Sequence, residues 1–312
     1  MNGYTRNFRV RPEVRQRVID AANELGYKPN PMVRSIAAKR TNLVAAVGSP
    51  NRRGLSTAVH AAAKRLLEEN IHVCTAFIRP ENGNIGLPSW RVDGVLAVGI
   101  EDPGDLGAYK DEGLACVSLN GPTHNGTDSV NIDEHDAVRQ AYEHLRQVGR
   151  PSVVYIAPKA SEGTQRESRA QVQQQEAYIR MCDADGAQPK ILELGDDGSD
   201  EDALEALRGM ESPGALAPNV RTSMRVIQLA AEAGVRVPED VGLVSLRDEP
   251  LGLLTTPALS GVHHEQETMG AMAAELLLER LRAGRESETV PRHERVRGSL
   301  MIRGSSAVAL RA

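Results

Sequence analysis

The chain has 312 residues, of which 40% are hydrophobic and only 3% aromatic, so it is long enough for about two globular domains with an aliphatic core. It holds no apolar run of about 18 residues, which argues against a membrane-spanning helix. We expect no secretory signal, because no apolar stretch follows a basic start. Three widely spaced cysteines fit neither a disulfide framework nor a zinc site, and they favour a reducing cytoplasm.

Charge is distributed unevenly along the chain, whose formal net charge is −5. Residues 1–40 hold nine Lys or Arg and only three acidic residues, whereas the remainder is strongly acidic. A basic arm on an acidic body is typical of a protein that binds a polyanion, because the arm attracts phosphates and the body repels unproductive contacts. Charge alone is equally typical of an ordinary solvated basic helix.

The elements begin with a helix predicted over residues 11–25, in which apolar residues recur at helical spacing and which Gly26 ends. A rigid, proline-containing link follows. It leads to a second short helix predicted over residues 32–38, with Asn30 as its N-cap.

From residue 42 onward, apolar strands alternate with helices, a pattern typical of parallel sheets covered on both faces. Two such rounds predict two similar α/β subdomains with a cleft between them. The predicted strands cover residues 43–47, 73–78, 94–100, 115–119, 152–156, 190–194, 215–217, 241–246 and 294–303. The predicted helices cover residues 55–67, 136–148, 167–184, 201–210 and 222–233, and a long amphipathic one is contained in residues 262–283.

Four segments carry a resemblance to a known family. They are NGYTRNFRVRPEVRQRVIDAANELGYKPNPMVRSIAAKRTN at 2–42, VDGVLAV at 92–98, DSVNIDEHDAV at 128–138 and AGVRVPEDVGLVSLRDEPLGLLTTPALSGV at 233–262. With these segments the chain resembles the LacI/GalR-type bacterial repressors over nearly its whole length.

The resemblance implies a truncated DNA-binding headpiece and hinge helix in residues 1–41. It implies a periplasmic-binding-protein-like effector and dimerisation core in residues 42–312, built of two doubly wound α/β subdomains. The expected subdomains comprise about 42–156 plus 262–284, and about 157–261 plus 285–312.

The resemblance also implies a homodimer that binds a pseudo-palindromic operator in double-stranded DNA, with an affinity controlled by a small molecule bound between the subdomains. The residues that it places at the DNA are Asn2, Tyr4, Arg6, Asn30, Val33, Arg34, Ile36, Ala37 and Lys39. Ile36 takes the place of a family leucine that wedges between bases in the minor groove. The alternative is that Ile36 packs within a short linker helix.

The family headpiece has about twenty residues before the pair that matches Asn2-Gly3, and they form a helix-turn-helix. Because Met1 stands directly before that pair, we expect the true start to lie upstream, since a basic arm and hinge have a purpose only near DNA. The alternative is a soluble small-molecule sensor without sequence-specific DNA binding.

The predicted effector cleft departs from the sugar-binding pattern of the family. Asn219-Val220 stands where Asn-Asp is usual, Arg247-Asp248 where two aspartates are usual, and His264 where a glutamine is usual. Val220 and Arg247 cannot accept hydrogen bonds from sugar hydroxyls, and Arg247 suits an anion. These departures predict either an acidic ligand or a loss of ligand binding. With the sugar-binding pattern of the family also weighed, the predicted effector is a sugar-like or anionic small molecule.

The cleft arginine of the family matches either Arg166 or Arg169, and Asn120 and Asp133 fall at positions that face the cleft in other members. For each of these residues the alternative is a structural hydrogen-bonding role. The predicted effector-binding residues are Asn120, Arg166, Arg169, Asn219, Arg247 and His264.

An enzyme is the remaining rival. The chain has no G-x-S-x-G, G-x-x-x-x-G-K-[ST] or H-E-x-x-H motif. His263 and His264 are adjacent, so on a strand they point apart and cannot share one metal ion. We therefore predict a non-enzyme with no metal site and no cofactor.

Overall fold

The computed structural model describes residues 4–5, 8–9, 11–27, 40–48, 56–77, 87, 91–124, 126–159, 168–195, 199–284 and 290–307. In these segments two six-stranded sheets and their helices form an α/β architecture, which confirms the predicted fold class. The hinge helix predicted at 32–38 lies outside the described residues. No helix within these segments is long and apolar enough to cross a membrane.

The N-terminal arm contains a helix close to the predicted bounds. Strands β1 (Tyr4–Thr5) and β2 (Phe8–Arg9) pair antiparallel and are followed by helix α1 (Pro12–Glu24). A proline suits the first helical position because its missing N–H would have no helical partner there. Gly26, with φ +61°, follows the helix in the left-handed conformation predicted for a terminating glycine.

The first sheet is built entirely from parallel pairs. Its strands are β3 (Leu43–Gly48), β4 (His72–Phe77), β5 (Gly94–Val98), β6 (Ala115–Leu119), β7 (Asp128–Ile132) and β13 (His293–Val296). They lie in the order β13-β7-β6-β5-β3-β4. Helices α2 (Ser56–Glu68) and α8 (Gln266–Ala283) cover one face and α3 (Pro103–Asp111) the other, so β5 is buried along its whole length.

Close packing of two helices fixes one face of this sheet. A Cβ added at Gly270 of α8 would lie 2.0 Å from the carbonyl oxygen of Ala58 in α2, so only glycine permits this approach. Met269 and Leu277 of α8 are fully buried against the same face. Helix α8 is therefore held rigidly against the first subdomain.

The second sheet has one antiparallel edge. Its strands are β8 (Val153–Pro158), β9 (Ile191–Leu194), β10 (Gly214–Ala217), β11 (Gly242–Ser245), β12 (Ser260–His264) and β14 (Gly298–Met301). They lie in the order β14-β12-β11-β10-β8-β9, and β14 pairs antiparallel with β12. Helices α4 (Glu134–Gln147) and α5 (Arg169–Ala184) cover one face, and α6 (Ser199–Arg208) and α7 (Val220–Glu232) cover the other.

The chain crosses between the subdomains at three places: from β7 into α4, from β12 into α8 and from β13 into β14. Two subdomain boundaries differ from the prediction. Strand β8 lies in the second sheet, so the first subdomain ends near residue 133 and not at 156. Strand β13 lies in the first sheet, although residues 285–312 were assigned to the second subdomain. Sheet membership depends on pairing between distant strands, which a local pattern does not contain.

The long helix predicted within residues 262–283 is confirmed: it is α8, which starts at Gln266 after the end of β12. Another element differs at a crossing. The strand predicted at 294–303 is two strands in different sheets. Strand β7 and helix α3 were not predicted. Helix α3 contains Gly104 and Gly107, which lower helix propensity.

Candidate functional site

The predicted DNA contacts lie largely beyond the described residues. Tyr4 is in β1, but its side chain is outside the described set. Also outside it are Asn2, Arg6, Asn30, Val33, Arg34, Ile36, Ala37 and Lys39. Their roles at DNA therefore stay predictions from the sequence.

Helix α1 presents an apolar face to solvent. Val14 and Val18 are exposed, as is Leu25 at 83%. These residues line a shallow depression with Ala21 and Tyr27. An isolated 13-residue helix is marginally stable in water, so a face of this kind calls for a packing partner.

The residues predicted to line the effector cleft lie at the carboxyl ends of strands of both sheets. Asn120 follows β6 in the first subdomain, whereas Asn219 follows β10 and Arg247 follows β11 in the second. His264 is the last residue of β12 and immediately precedes a crossing. In open α/β sheets, ligands bind at this end of the strands.

A buried carboxylate that the sequence did not single out pairs with one of the predicted cleft residues. Glu134, the first residue of α4, has a side chain only 1% exposed. It accepts hydrogen bonds from both terminal nitrogens of Arg247, one of them at 3.0 Å. It also accepts one from Gln174 Nε2 at 2.8 Å, and Gln174 Oε1 accepts one from the Tyr155 hydroxyl at 3.1 Å.

This geometry changes the chemistry expected of Arg247. Arg247 is a predicted cleft residue, and both terminal nitrogens of its guanidinium are bound to Glu134. A bidentate arginine–carboxylate pair satisfies both charges. Arg247 is therefore already neutralised by Glu134 and is no longer expected to bind an anionic ligand. Asp248 is likewise paired, accepting hydrogen bonds from Arg303 at 2.7 and 2.9 Å.

His264 belongs to the same network. Its Nε2 lies 3.0 Å from the Leu246 carbonyl oxygen and 3.2 Å from Arg247 Nη1. Burial, reinforced by the charge of Arg247, lowers the pKa of His264 to about 4, so the ring is neutral near pH 7. The neighbouring His263 is half-exposed on the opposite side of β12, as the strand pattern predicted.

Arg169 is the predicted cleft residue with the least committed side chain. Its backbone N–H donates to Glu101 Oε2 at 3.1 Å, which joins the start of α5 in the second subdomain to the loop after β5 in the first. No hydrogen bond joins its guanidinium to another described residue. Burial lowers the pKa of Arg169, opposed by the charges of Glu101 and Glu134. Arg166 lies outside the described residues.

The two predicted asparagines have structural partners. Asn219 is the N-cap of α7, where its Oδ1 accepts from the backbone N–H of Thr222 at 2.9 Å. Asn120 has a φ of +51°, and its Oδ1 accepts from the backbone N–H of Ile132 at 3.4 Å. Asp133 similarly caps α4, accepting from the backbone N–H of Asp136 at 3.1 Å. The structural alternative thus has direct support at all three positions.

Sequence reasoning missed Glu134 and Glu101. An acidic residue in the first turn of a helix is ordinarily interpreted as a favourable partner of the helix dipole, and Glu134 has that position. Its pairing with Arg247, 113 residues away, could not be inferred from local spacing. Glu101 follows a buried strand, and that position was the one available signal.

Comparisons with known proteins agree on one group. Residues 142–306 match the family model described as periplasmic binding protein-like domain. The HTH-type transcriptional regulator GalR of Lacticaseibacillus casei is 25% identical over 97% of this chain and 93% of its own length. Catabolite control protein A of Staphylococcus xylosus is 26% identical over 87% and 84%. The structure of a transcriptional regulator CelR–cellobiose complex superposes with a TM-score of 0.71 at 23% identity, covering 95% of this chain and 92% of that one.

Proposed function

The chain belongs to the LacI/GalR-type family of bacterial transcriptional regulators, and from this premise we propose that it is a repressor whose operator affinity is set by a small molecule bound between its two core subdomains. The observation that carries the proposal is the contact between Arg169 and Glu101. It joins the subdomains at the cleft and leaves the guanidinium of Arg169 beside it, without a hydrogen bond to any described residue. A ligand that engages Arg169 acts directly on the relation between the subdomains.

We propose a neutral, hydroxyl-rich effector. Among the described cleft residues, the charge of Glu134 is balanced by Arg247, and the charge of Glu101 is opposed by Arg169. A cleft with balanced charges does not favour an anion, whereas Arg169 can still donate hydrogen bonds to hydroxyl oxygens. The related CelR structure contains cellobiose, which is a ligand of this neutral class.

The proposed DNA-binding part is the basic arm. Its nine cations supply the phosphate contacts that a duplex requires, and Ile36 supplies the apolar wedge. The exposed apolar face of α1 supports packing against further headpiece helices. We propose that the regulator works in the cytoplasm, where operator DNA is found.

A homodimer on a pseudo-palindromic operator completes the proposal. Leu251, Leu253 and Leu254 of the 3-10 helix Pro250–Leu254 are all more than half exposed, and Met224 of the neighbouring α7 is 41% exposed. Clustered apolar side chains on a surface mark protein–protein contacts. A second copy of the chain would cover them.

The test uses the protein with its natural N-terminus and a duplex selected from a random pool. Fluorescence anisotropy should show saturable binding that weakens steeply with salt and changes when a neutral sugar from a thermal-shift screen is added. Arg169→Ala should weaken sugar binding about tenfold or more, as expected when hydrogen bonds from a charged donor are lost. Arg180→Ala, on the exposed face of the same helix, is the matched control. Equal sugar affinity in the two variants would remove Arg169 from the site, and no binding to any duplex would contradict the repressor.

A further inference from the structure

The junction between the arm and the core is fixed by one carboxylate. Asp93 lies just before β5, and its oxygens accept hydrogen bonds from the backbone N–H groups of Thr41 at 2.9 Å and Asn42 at 2.7 Å. The backbone N–H of Asp93 donates in turn to the Leu43 carbonyl at 2.8 Å. Residues 41–43 are thus bound, at the very start of β3, to a residue some fifty positions away.

The local backbone is shaped for this contact. Asn42 has a φ of +52°, a conformation that asparagine tolerates better than most residues. Successive N–H groups beside a left-handed residue converge and form a nest for an anion. The Thr41 hydroxyl accepts from the backbone N–H of Leu43 at 3.3 Å, which stabilises the same turn. We call Asp93 with the N–H groups of Thr41 and Asn42 the junction nest.

A second contact links the junction to α8. The Arg40 guanidinium donates to the Leu281 carbonyl at 3.0 Å, in the last turn of that helix. A cation at a helix C-terminus is favourable because unpaired carbonyls and the helix dipole attract it. The other end of α8 begins two residues after His264, beside the Glu134–Arg247 pair. The 18 residues of α8 therefore span about 27 Å between the cleft and the junction.

We propose that Asp93 is a positioning residue: through the junction nest it fixes where the DNA-binding arm leaves the core, and so it sets operator affinity. This inference rests on the proposed function. It differs from that function in assigning the effect to one carboxylate that contacts neither DNA nor effector. An arm whose exit point is fixed loses less conformational freedom on binding, so it binds more tightly.

Limited trypsin digestion tests the nest without any DNA. Cleavage of the Arg40–Thr41 bond requires residues 41–43 to leave the nest and extend into the protease. Asp93→Asn should speed appearance of the fragment that begins at Thr41 by about tenfold or more, because charge-assisted hydrogen bonds are lost. Asp102→Asn is the matched control, since Asp102 accepts from the backbone N–H of Gly104 at 2.8 Å in the same subdomain, away from the junction. Equal cleavage rates in the two variants would overturn the proposal.

A pair of substitutions at Asn42 approaches the nest from its other side. Asn42→Gly keeps the left-handed conformation and should leave the cleavage rate unchanged, whereas Asn42→Val opposes that conformation and should raise it as Asp93→Asn does. The Asn42 side chain is exposed, so neither change disturbs the core. Unchanged cleavage in Asn42→Val would contradict the nest.

Measurements of operator binding separate the role of Asp93 from the proposed repressor function on which it rests. Asp93→Asn should lose about tenfold or more in affinity for the selected duplex, while its sugar affinity and thermal unfolding midpoint match those of Asp102→Asn. Faster cleavage with unchanged operator affinity would overturn the role of Asp93 in DNA binding. If the unsubstituted chain binds no duplex, the repressor assignment and the operator role of Asp93 fall together, and the cleavage rates still decide whether the junction nest exists.

Discussion

Two arginine–carboxylate pairs in this molecule have the same chemistry and nearly the same burial. One lies within the first subdomain, and the other lies at crossings between the subdomains. Asp128 is fully buried and pairs with Arg280, which is 17% exposed. Glu134 is 1% exposed and pairs with Arg247, which is also 17% exposed. Burial therefore does not distinguish a structural pair from a functional one.

What differs is the set of elements that each pair joins. Asp128 accepts from Arg280 at 2.6 Å twice and from the backbone N–H of Arg292 at 2.7 Å, so it ties β7 to α8 and to the segment before β13 within the first subdomain. Glu134 is the first residue of α4, directly after the crossing from β7. Its partner Arg247 contacts His264, which stands directly before the crossing from β12 into α8. An ion pair at a crossing between the subdomains is disturbed when one subdomain moves relative to the other, whereas an ion pair inside one subdomain is not.

The largest expected effect is on the pair within the subdomain. Asp128→Ala should lower the free energy of unfolding by about 3–5 kcal/mol, because it removes the buried carboxylate that accepts hydrogen bonds from Arg280 and from the backbone N–H of Arg292. Urea unfolding measures the loss. Sugar affinity of the folded protein should stay within about twofold of the unsubstituted value, since no cleft residue is touched. A large change in sugar affinity would show that the Asp128–Arg280 pair also affects ligand binding, and it would contradict the distinction between the two pairs.

Glu134→Gln should lower the free energy of unfolding by less than Asp128→Ala does, but it should change which ligands the protein binds. An amide keeps the shape of the carboxylate and one acceptor for Arg247, so we expect a loss of about 1–3 kcal/mol. The guanidinium would then be an uncompensated cation at the cleft. Thermal-shift titration should detect stabilisation by inorganic phosphate in this variant and not in the unsubstituted chain. Glu143→Gln, on the exposed face of the same helix, is the control.

Phosphate binding to the unsubstituted chain, at the strength seen for Glu134→Gln, would contradict the charge balance on which the neutral effector is proposed. It would return the anionic alternative that the position of Arg247 first suggested. The Glu143→Gln control guards against a general effect of removing one negative charge, because its ion pair with Arg139 is exposed and of little energetic consequence.

The difference between the two pairs also explains which features of the fold could be predicted from the sequence. Apolar runs such as Gly94–Val98 predicted buried parallel strands because both faces of such a strand need apolar side chains. The crossing from β13 into β14 escaped prediction, since residues 294–303 read as one continuous strand. The interruption is decided by which sheet each of the two strands joins.

The same limit applied to the site. The family resemblance predicted that Arg247 and His264 line the cleft, and in the structure they follow β11 and end β12. The sequence could not supply Glu134 as the partner of Arg247, and that partner changes the expected ligand from an anion to a neutral molecule. A residue's position along a strand can be inferred locally, but the charge that faces it comes from a distant part of the chain.

A pH dependence of stability is expected from His264, beside the crossing from β12 into α8. The pKa of His264 is about 4 in the folded chain, because burial and Arg247 disfavour its cation, whereas an unfolded histidine has a pKa of about 6.5. The unfolded state therefore takes up a proton that the folded state refuses, and stability falls as pH drops from about 6.5 toward 4. At pH 5 the loss should be about 2 kcal/mol relative to pH 7.

His264→Gln should remove this loss, because glutamine does not titrate, and urea unfolding at pH 7 and pH 5 measures the difference. His144→Gln is the matched comparison. Burial also lowers the pKa of His144, whose Nε2 lies 2.8 Å from the Ser306 hydroxyl inside the second subdomain. Both substitutions should flatten the pH dependence, but only His264→Gln should also change sugar affinity, since only His264 contacts Arg247. If the free energy of unfolding changed equally with pH in the unsubstituted chain and in His264→Gln, the His264 ring would not be held neutral in the folded protein.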